Sequence, residues 1–378
     1  MKIGIDLRAL KPGYKGGLRS FSLGLVSGFQ SNVDIVIIGE KKAECQIRND
    51  YADCSYLFVR RSCLKFLLHR LLVIFAYVFK SLSVYNILVN FLYSRENKEI
   101  NDLGLDLVIC TTTYLNSSGL DAKLITCLHD VQEEYFPENF SFSQRVWRYV
   151  MSRYTLKYSD ITQVSSKYIQ KCLRESLGDY GCIVVLEEGI DSRFLNINSN
   201  YNDILTFVPS SPFLFYPAGL WPHKNHELLF KALSKYRDIY GREVSCILVG
   251  YDPDNKFNNI NALVKNESLD KCAYLGQVDD EELMCLYSNC EVVLALGSHE
   301  SSCLPIKEAF ACGKKVIAMN IPPNVEFSDE EGFFLTDNDV DDLVSSIVDS
   351  LSSCQPNHEK LVNEYKWEGI SNKYTKVV

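Results

Sequence analysis

Three patterns that would assign this 378-residue sequence to other classes of protein are missing from it. Its fourteen cysteines include no C-x-x-C pair, and their scatter through predicted strands and helices is typical of buried free thiols in a reducing cytosol. The net charge of −9 leaves no basic excess, which argues against nucleic acid as a partner, because phosphate backbones need clustered Lys and Arg. No G-x-G-x-x-G follows the first predicted strand, so the dinucleotide-binding fingerprint is not met.

Long apolar runs are missing as well. The longest run, Leu71–Phe79, is too short to span a bilayer. The stretch 64–93 around it is interrupted by basic residues, namely Lys65, His69, Arg70 and Lys80. This mixture predicts one or two amphipathic helices, which either contact a membrane surface or a lipid-linked acceptor, or belong to the protein core. The chain opens with a strand-like M-K-I-G-I-D and no apolar signal segment, so we expect a cytoplasmic protein, with peripheral contact to the inner face of the membrane as one interpretation.

Short β-rich runs alternate with helical patterns along the whole chain. Such alternation is typical of right-handed βαβ units that build a largely parallel sheet. The predicted strands are Lys2–Leu7, Asp34–Ile38, Tyr56–Val59, Asp106–Cys110, Leu124–His129, Ile161–Val164, Ile183–Leu186, Phe213–Tyr216, Val244–Val249, Ala273–Val278, Glu291–Leu296 and Lys315–Ala318. The predicted helices are Phe142–Leu156, Lys167–Leu177, Asn225–Tyr240, Asp279–Tyr287, Pro305–Cys312 and Asp339–Leu351.

A turn-rich break at Gly189–Pro212 separates two such series of strands and helices. The length, and a hydrophobic fraction of 47%, are enough for two domains of ordinary size. We therefore predict an α/β protein with two Rossmann-like doubly wound domains joined near residue 200. Ligands of such sheets bind beyond the carboxyl ends of the strands, so two facing sheets would place a ligand in the cleft between the domains.

The segment His299–Ala311 carries the strongest functional pattern. It reads H-E-S-S-C-L-P-I-K-E-A-F-A and follows the apolar run Val292–Leu296, so we expect a strand, a tight turn and a helix that begins at Pro305. A helix N-terminus favours a bound phosphate. Glu300 would then lie at the rim of this anion site, and Glu308 about one turn into the helix. A phosphate bracketed by two carboxylates suits a nucleotide sugar, whereas the plain alternative is a surface turn with two solvated glutamates.

A second strand–turn–helix segment, Phe213–Glu227, reads F-L-F-Y-P-A-G-L-W-P-H-K-N-H-E. It would form the first such corner of the second domain, where a phosphate is expected. Lys224 would act there as a point charge on a diphosphate leaving group. His223 and His226 lie nearby, but no Cys or third His completes a metal-binding set, so no metal site is predicted.

Three other segments give weaker patterns. The glycines Gly16 and Gly17 after the first strand would let backbone approach a phosphate or sugar closely, or would form an ordinary flexible loop. The strand L-I-T-C-L-H-D ends on His129 and Asp130. A neutral imidazole there could bond a sugar hydroxyl and the carboxylate could orient an acceptor, or both could form a structural turn. Gly276 could line a flat base pocket, or form a tight turn.

Together these segments resemble the retaining glycosyltransferases of family 4, which have the GT-B fold. The resemblance covers nearly the whole chain and is strongest over residues 213–334. E-S-S-C-L-P-I-K-E-A is similar to the E-x7-E motif of the family, with Glu300 and Glu308 as its glutamates. Y-P-A-G-L-W-P-H-K-N-H-E is similar to the donor-phosphate loop, with Lys224 in the place of its lysine. H-D-V-Q-E-E-Y-F-P resembles the His-containing loop, and the Gly16–Gly17 turn resembles the first-domain glycine loop.

The resemblance implies transfer of a hexose from a nucleotide diphosphate sugar to a saccharide or lipid-linked saccharide, with retention, without an essential metal or other cofactor, in the biosynthesis of a surface polysaccharide such as lipopolysaccharide or capsule. It implies an acceptor-side domain at 1–200, a nucleotide-sugar-binding domain at 201–360, and a segment 361–378 that packs back on the first domain. The implied catalytic residues are His129, Lys224 and Glu300, with Asp130 on the acceptor side. The implied donor-binding residues are Gly16, Gly17, Gly219, Lys224, Gly276, Ser301, Ser302, Cys303, Leu304 and Glu308.

The sequence departs from the family pattern at two places. Leu220 follows Gly219 where many members have an arginine, and Ser301, Ser302 and Cys303 stand where glycines are usual between the two glutamates. The missing arginine leaves open a non-catalytic GT-B scaffold that supports a partner enzyme. A nucleotide-sugar epimerase, which would share the donor pocket but need no separate acceptor, is a further alternative. The base and the acceptor are not determined by the sequence, and a mannose-type donor is suggested only by the overall resemblance.

Overall fold

The structure, a computed structural model, forms two compact units. It describes residues 1–10, 12–13, 17–29, 33–178, 181–195, 212–252 and 257–377, of which 257–259 are described by their backbone alone. The first unit comprises Met1–Gly189 together with Trp367–Val378, and the second comprises Ile190–Lys366. The predicted division near residue 200 lies outside the described residues.

Each unit contains one sheet in which the paired strands are parallel. The strands of the first unit are β1 (Lys2–Asp6), β2 (Asp34–Glu40), β3 (Ser55–Val59), β4 (Leu107–Cys110), β5 (Lys123–Cys127), β6 (Ile161–Val164) and β7 (Ile183–Val185). The strands of the second unit are β8 (Phe213–Pro217), β9 (Ser245–Val249), β10 (Cys272–Tyr274), β11 (Val292–Ala295), β12 (Lys315–Met319) and β13 (Phe333–Thr336). The spatial orders are β3-β2-β1-β4-β5-β6-β7 and β10-β9-β8-β11-β12-β13. Both sheets are therefore doubly wound, which confirms the predicted α/β fold class.

Helices connect these strands. They are α1 (Gly17–Ser27), α2 (Glu44–Asp50), α3 (Cys63–Phe79), α4 (Leu82–Leu92), α5 (Ser94–Asn101), α6 (Gln132–Tyr135), α7 (Phe142–Tyr158), α8 (Lys167–Leu177), α9 (Ser192–Leu195), α10 (His226–Tyr240), α11 (Phe257–Asn266), α12 (Asp280–Asn289), α13 (Leu304–Ala311), α14 (Pro322–Val325), α15 (Val340–Ser352), α16 (Glu359–Glu364) and α17 (Trp367–Lys376). Polar caps fix several starts: Ser141 caps α7 in a capping box with Gln144, and Asp279 does the same for α12 with Glu282.

The strands are apolar on both faces because helices cover both sides of each sheet. In the second unit, Phe215 and Ile247 belong to one buried cluster and Leu214 and Leu248 to another. Neighbouring residues of a strand point to opposite faces, so these two clusters are the two faces of the same sheet.

The last helix belongs to the first unit, where α17 packs against α1. The Trp367 indole occupies the space beside Gly24, since a Cβ at that glycine would lie 1.9 Å from Trp367 Nε1. A larger residue at Gly24 would push the tryptophan away, so this glycine allows the C-terminal helix to dock.

Two predicted strands extend more than one residue beyond the observed carboxyl end. The strand expected to reach His129 ends at Cys127, because the chain turns where the Gln132 amide donates to the Asp130 carboxylate at 3.3 Å. The strand expected over Ala273–Val278 ends at Tyr274, before Gly276 adopts a φ of 75° that a strand does not contain. β13 was not among the predicted strands.

Helices α3 and α4 cover most of the stretch 64–93, for which the sequence left two interpretations open: contact with a membrane surface, or a place in the protein core. Their inner faces are buried at Val73, Ala76 and Val89, whereas Leu64 is 64% exposed and Phe91 is 81% exposed. The interpretation as a core helix is therefore wrong for the outer faces. Among the residues that the structure describes, no helix is both long and apolar enough to cross a bilayer.

Candidate active site

The carboxyl ends of the neighbouring strands β8 and β11 bring Lys224 and Glu300 together. Lys224 ends the short 3₁₀ turn Pro222–Lys224 after β8, and Glu300 lies in the loop after β11. The Lys224 ammonium group donates to Glu300 Oε1 in an ion pair. The two side chains are only 19% and 15% exposed, so water screens this pair less than a surface pair. Two residues that are 76 positions apart in the sequence thus form one charged unit.

Three further hydrogen bonds hold the loop after β8, and two of them connect it to the loop after β11. The Tyr216 hydroxyl donates to the carbonyl of Lys224. The Ser298 amide donates to the His223 carbonyl at 2.8 Å, and Asn225 Nδ2 donates to the Leu296 carbonyl at 2.9 Å. Asn225 also has a φ of 53°, which asparagine tolerates better than most residues. The backbone that carries Lys224 is therefore held from both sides.

Gly297, which matches no sequence motif, makes room for Glu300. A Cβ at Gly297 would lie 2.1 Å from Glu300 Oε1. Any side chain at this position would displace the carboxylate rather than the backbone. The sequence contained no pattern that points to Gly297, because the requirement arises only when the loop is folded.

Helix α13 begins directly after this pair. It starts at Leu304 with Pro305 in its first turn, as predicted from the proline. Cys303, just before it, has a φ of 44°, a left-handed conformation that glycine adopts more easily. Within the described residues the Cys303 side chain makes no hydrogen bond to the first turn. The helix thus presents its positive end beside Ser302 and Cys303, which stand where the family has glycines.

Glu308 lies within α13 in an environment unlike that of Glu300. The Tyr287 hydroxyl of α12 donates to Glu308 Oε2 at 2.6 Å. Desolvation raises the pKa of Glu308 to about 7, with a further increase from the negative charge of Asp191, while the Tyr287 hydrogen bond and Arg193 oppose the shift. The neutral form of this carboxyl group is therefore favoured far more than in an ordinary glutamate.

A small ion network lies near Glu308. Arg193 of α9 bonds Asp191 Oδ2 at 2.7 Å and also pairs with Asp280 of α12. These residues are not evident from the sequence, because their spacing matches no motif. Their effect on the Glu308 pKa makes them part of the electrostatic surroundings of the site.

The exits of β8 and β9 approach each other through glycines. Gly250 has a φ of 153°, and a Cβ there would lie 2.4 Å from the Ala218 carbonyl oxygen. A Cβ at Gly219 would lie 3.1 Å from the Tyr251 carbonyl oxygen. Leu220, which stands in the place of the usual arginine, is 3% exposed and packs in the core. Its side chain therefore supports the fold and supplies no charge to the site.

Gly276 and Gly17 both lie beside open space. Gly276 has a φ of 75°, and among the described residues no atom lies within 4 Å of its ideal Cβ position. Gly17 begins α1 and has no described atom within 4 Å either, so packing does not require a glycine there. Gly16 lies outside the described residues. The assignment of these glycines to donor binding stays a prediction.

In the first unit, His129 makes two hydrogen bonds to acceptors. Its Nδ1 lies 3.3 Å from Glu188 Oε1, and its Nε2 lies 2.9 Å from the Thr111 carbonyl oxygen. Burial alone would lower the pKa of His129, but the Glu188 carboxylate and the Thr111 carbonyl raise it above its ordinary value. This environment favours the protonated ring, whereas the sequence analysis expected a neutral imidazole. A sugar hydroxyl would have to replace one of these two acceptors.

Asp130, the predicted acceptor-side residue, belongs to an ion network. Its carboxylate accepts from Arg148, whose Nε also donates to Glu133 Oε2 at 2.7 Å. The side chain is 37% exposed. Asp130 therefore holds Arg148 in place, and its role toward an acceptor stays a prediction.

The second unit is similar to a known protein family. The family model described as glycosyl transferases group 1 matches residues 199–366. This range contains Lys224, Glu300 and Glu308, and nearly all of the second unit.

Two curated relatives are similar at low identity. O-antigen chain mannosyltransferase B of Escherichia coli is 24% identical over 249 residues, which cover 57% of this chain and 65% of the relative. O-antigen chain mannosyltransferase RfbU of Salmonella typhimurium is 26% identical over 220 residues, which cover 57% of this chain and 56% of the relative. The chain thus spans between about half and two thirds of the length of these relatives.

Solved structures show the same fold over the whole chain. The Anabaena protein HepE, in complex with UDP and glucose, has a TM-score of 0.72 at 17% identity and covers 100% of this chain and 99% of its own. Sucrose-phosphate synthase from Thermosynechococcus elongatus has a TM-score of 0.74 at 19% identity, with coverage of 100% and 98%. The lipopolysaccharide outer core galactosyltransferase WaaB has a TM-score of 0.64 at 13% identity, with coverage of 100% and 98%.

The two Rossmann-like units are those of the GT-B glycosyltransferase fold, and residues 199–366 match the glycosyl transferases group 1.

Proposed function

We propose that this protein is a retaining, metal-independent hexosyltransferase. It moves a hexose from a nucleotide diphosphate sugar to a saccharide or lipid-linked saccharide in the biosynthesis of a surface polysaccharide. The observation that carries the proposal is the Lys224–Glu300 ion pair beside the start of α13. A cation, a helix N-terminus and a carboxylate are grouped at the carboxyl edge of one sheet, within the segment that matches the family model.

Each group has a chemical task toward the donor. The Lys224 ammonium and the amide groups at the start of α13 stabilise the negative charge that grows on the diphosphate as the sugar bond breaks. Glu300 accepts hydrogen bonds from sugar hydroxyls, and its ion pair keeps Lys224 in position before the donor binds. Glu308 accepts from the ribose hydroxyls. Ser301 and Ser302 are small enough to let the donor approach the backbone closely.

The proposed reaction needs no carboxylate nucleophile. The acceptor hydroxyl attacks the sugar from the face that the diphosphate leaves, and the leaving phosphate takes the hydroxyl proton. Retention of configuration follows from this same-face geometry. His129, held by Glu188 and the Thr111 carbonyl, is the residue that we propose bonds the transferred sugar.

The names of the relatives support a choice of donor and process. Both curated relatives are named as O-antigen mannosyltransferases, which favours a mannose donor and a cell-surface saccharide acceptor. The HepE structure holds UDP and glucose, so a uridine donor is the main competitor. We place the reaction at the cytoplasmic side, where nucleotide sugars are available.

A donor panel with and without acceptors tests the proposal. We expect release of nucleoside diphosphate from one donor only when a saccharide or lipid-linked acceptor is present, at a rate that a chelator does not change. The product linkage should keep the anomeric configuration of the donor by NMR. Gly297→Ala should fold normally yet lose most turnover, because its methyl group displaces Glu300.

The alternatives give different results in the same assay. An epimerase would convert the donor without an acceptor. A scaffold protein would turn over no donor in the panel. The observation that favours this alternative is the buried Leu220, which supplies no charge where many family members have an arginine. Inversion of configuration would contradict the proposed same-face reaction.

A further inference from the structure

The outer faces of α3 and α4 expose an unusual amount of apolar surface. Among the described residues, these two helices carry twelve of the twenty large apolar side chains that are exposed. The most exposed are Phe91 at 81%, Ile87 at 68%, Leu64 and Phe79 at 64%, and Val78 at 62%. The two helices pack against each other, and extensive exposed apolar surface on neighbouring helices usually marks an interaction site. We call the exposed apolar residues of α3 and α4 the α3–α4 outer face.

The orientation of α3 is fixed by a polar residue that points inward. His69 Nε2 lies 2.7 Å from the Tyr85 hydroxyl, and its Nδ1 lies 2.8 Å from the Tyr93 hydroxyl. Burial lowers the pKa of His69 to about 3, so the ring is neutral. The helix thus buries a hydrogen-bonded histidine and turns its leucines outward, which is the reverse of the usual arrangement. Specific hydrogen bonds therefore hold the apolar side chains on the surface.

The charge of this region differs from that of the rest of the chain. Residues 54–95 contain six Lys or Arg residues and no Asp or Glu, whereas the whole chain has a net charge of −9. Four of these basic residues are exposed, namely Arg60, Arg70, Lys80 and Arg95. Arg61, Lys65 and Arg95 form ion pairs with Glu40, Glu96 and Glu99. The exposed cations of this region outside those pairs are Arg60, Arg70 and Lys80. An apolar surface flanked by such cations is complementary to a surface of acyl chains under anionic headgroups.

We propose that the α3–α4 outer face docks onto an anionic bilayer surface. Both helices would lie in the interface, with the apolar side chains in the headgroup and acyl boundary and the arginines near the phosphates. α3 has 17 residues, which gives a length of about 25 Å, and Lys65, His69 and Arg70 interrupt it, so it lies on the membrane and does not cross it.

A second copy of this chain is a poorer occupant. A twofold contact would place the same cationic surface on both sides of the interface, and like charges would oppose each other. The rest of the chain is acidic and would repel an anionic membrane, so only the α3–α4 outer face would contact the bilayer. The inference stands on the exposed face and its charge, and does not depend on the reaction proposed above.

Vesicle flotation of the full chain tests the inference. We expect the protein to float with phosphatidylcholine vesicles that contain phosphatidylglycerol, and to float much less with phosphatidylcholine alone. The triple variant Leu64→Ser, Ile87→Ser, Phe91→Ser should lower the vesicle-bound fraction by at least about tenfold. The matched control Ile239→Ser, Val325→Ser removes exposed apolar side chains from the second unit and should float as the parent does.

A charge variant and a measurement of mass complete the test. Arg60→Gln, Arg70→Gln should weaken binding to the anionic vesicles and reduce its dependence on salt. Thermal unfolding should show that all variants are folded, since each replaced side chain is exposed. The inference is overturned if the parent binds neither vesicle, or if the triple variant floats as well as the parent. It is equally overturned if sedimentation without lipid shows a dimer that the triple variant abolishes.

Discussion

At the scale of single residues, two glutamates of one motif have different surroundings. Glu300 is paired with Lys224 at the edge of the sheet, and Glu308 lies under the Tyr287 hydroxyl in a desolvated position. An ion pair favours the charged form of a carboxyl group, whereas desolvation favours its neutral form. The motif therefore combines an ion-paired carboxylate with a desolvated one whose pKa is raised to about 7.

The titration of Glu308 gives a stability prediction. Its pKa is about 7 in the folded protein against an ordinary 4.5. Between these two pH values the folded state therefore keeps a proton that the unfolded state has lost. The stabilising contribution is complete at pH values below the ordinary pKa and is lost as the pH rises through about 7. Glu308→Gln removes this titration, so its stability relative to the parent should increase by up to about 3 kcal/mol with rising pH.

Urea unfolding of both proteins at an acidic and an alkaline pH measures this difference. Other titrating groups, such as His129, cancel because the two proteins share them. Parallel pH profiles of the parent and Glu308→Gln would show that the carboxyl group is not desolvated as described.

At the scale of elements, the site depends on two loops that hold each other. The Ser298 amide and the Asn225 side chain connect the loop after β8 to the loop after β11. These bonds fix Lys224 and Glu300 before any ligand binds, which reduces the entropy lost on binding. Hydrogen bonds thus join two loops that come from different crossover units.

Substitutions of Asn225 separate its two contributions. Asn225→Ala loses the bond to the Leu296 carbonyl and also places alanine at a φ of 53°, which alanine tolerates less well than asparagine. Asn225→Gly loses the same bond but accepts that φ without strain. We expect Asn225→Ala to be less stable than Asn225→Gly by about 1 kcal/mol in urea unfolding. Both variants should bind nucleotide more weakly than the parent, and unchanged binding in both would mean that the loop contact does not position Lys224.

The sequence predicted these elements better than it predicted their contacts. Apolar periodicity and Pro305 located α13 to within a residue, and α8 spans the predicted range Lys167–Leu177. The need for glycine at Gly297 was not predictable, because it depends on where the Glu300 carboxylate lies in three dimensions. The two acceptors around His129 were also missed, since Thr111 and Glu188 are distant from it in the sequence.

At the scale of the whole molecule, the two units carry different features. The second unit contains the Lys224–Glu300 pair and matches a family of sugar-transferring enzymes, while the first unit carries the α3–α4 outer face. Alternation of strands and helices predicted two parallel sheets, because each strand is a short apolar run between helical segments. The orientation of α3 could not be predicted, because a histidine within a leucine-rich helix does not reveal which face it occupies.

The central claim is that Lys224 and Glu308 hold the nucleotide diphosphate part of a donor sugar. Isothermal titration of the parent with UDP and GDP tests it most directly, and we expect micromolar binding of one of them. Lys224→Ala and Glu308→Ala should each weaken this binding by at least about tenfold, whereas Lys231→Ala, an exposed lysine of α10, should bind as the parent does. Unchanged binding in both site variants would contradict the account.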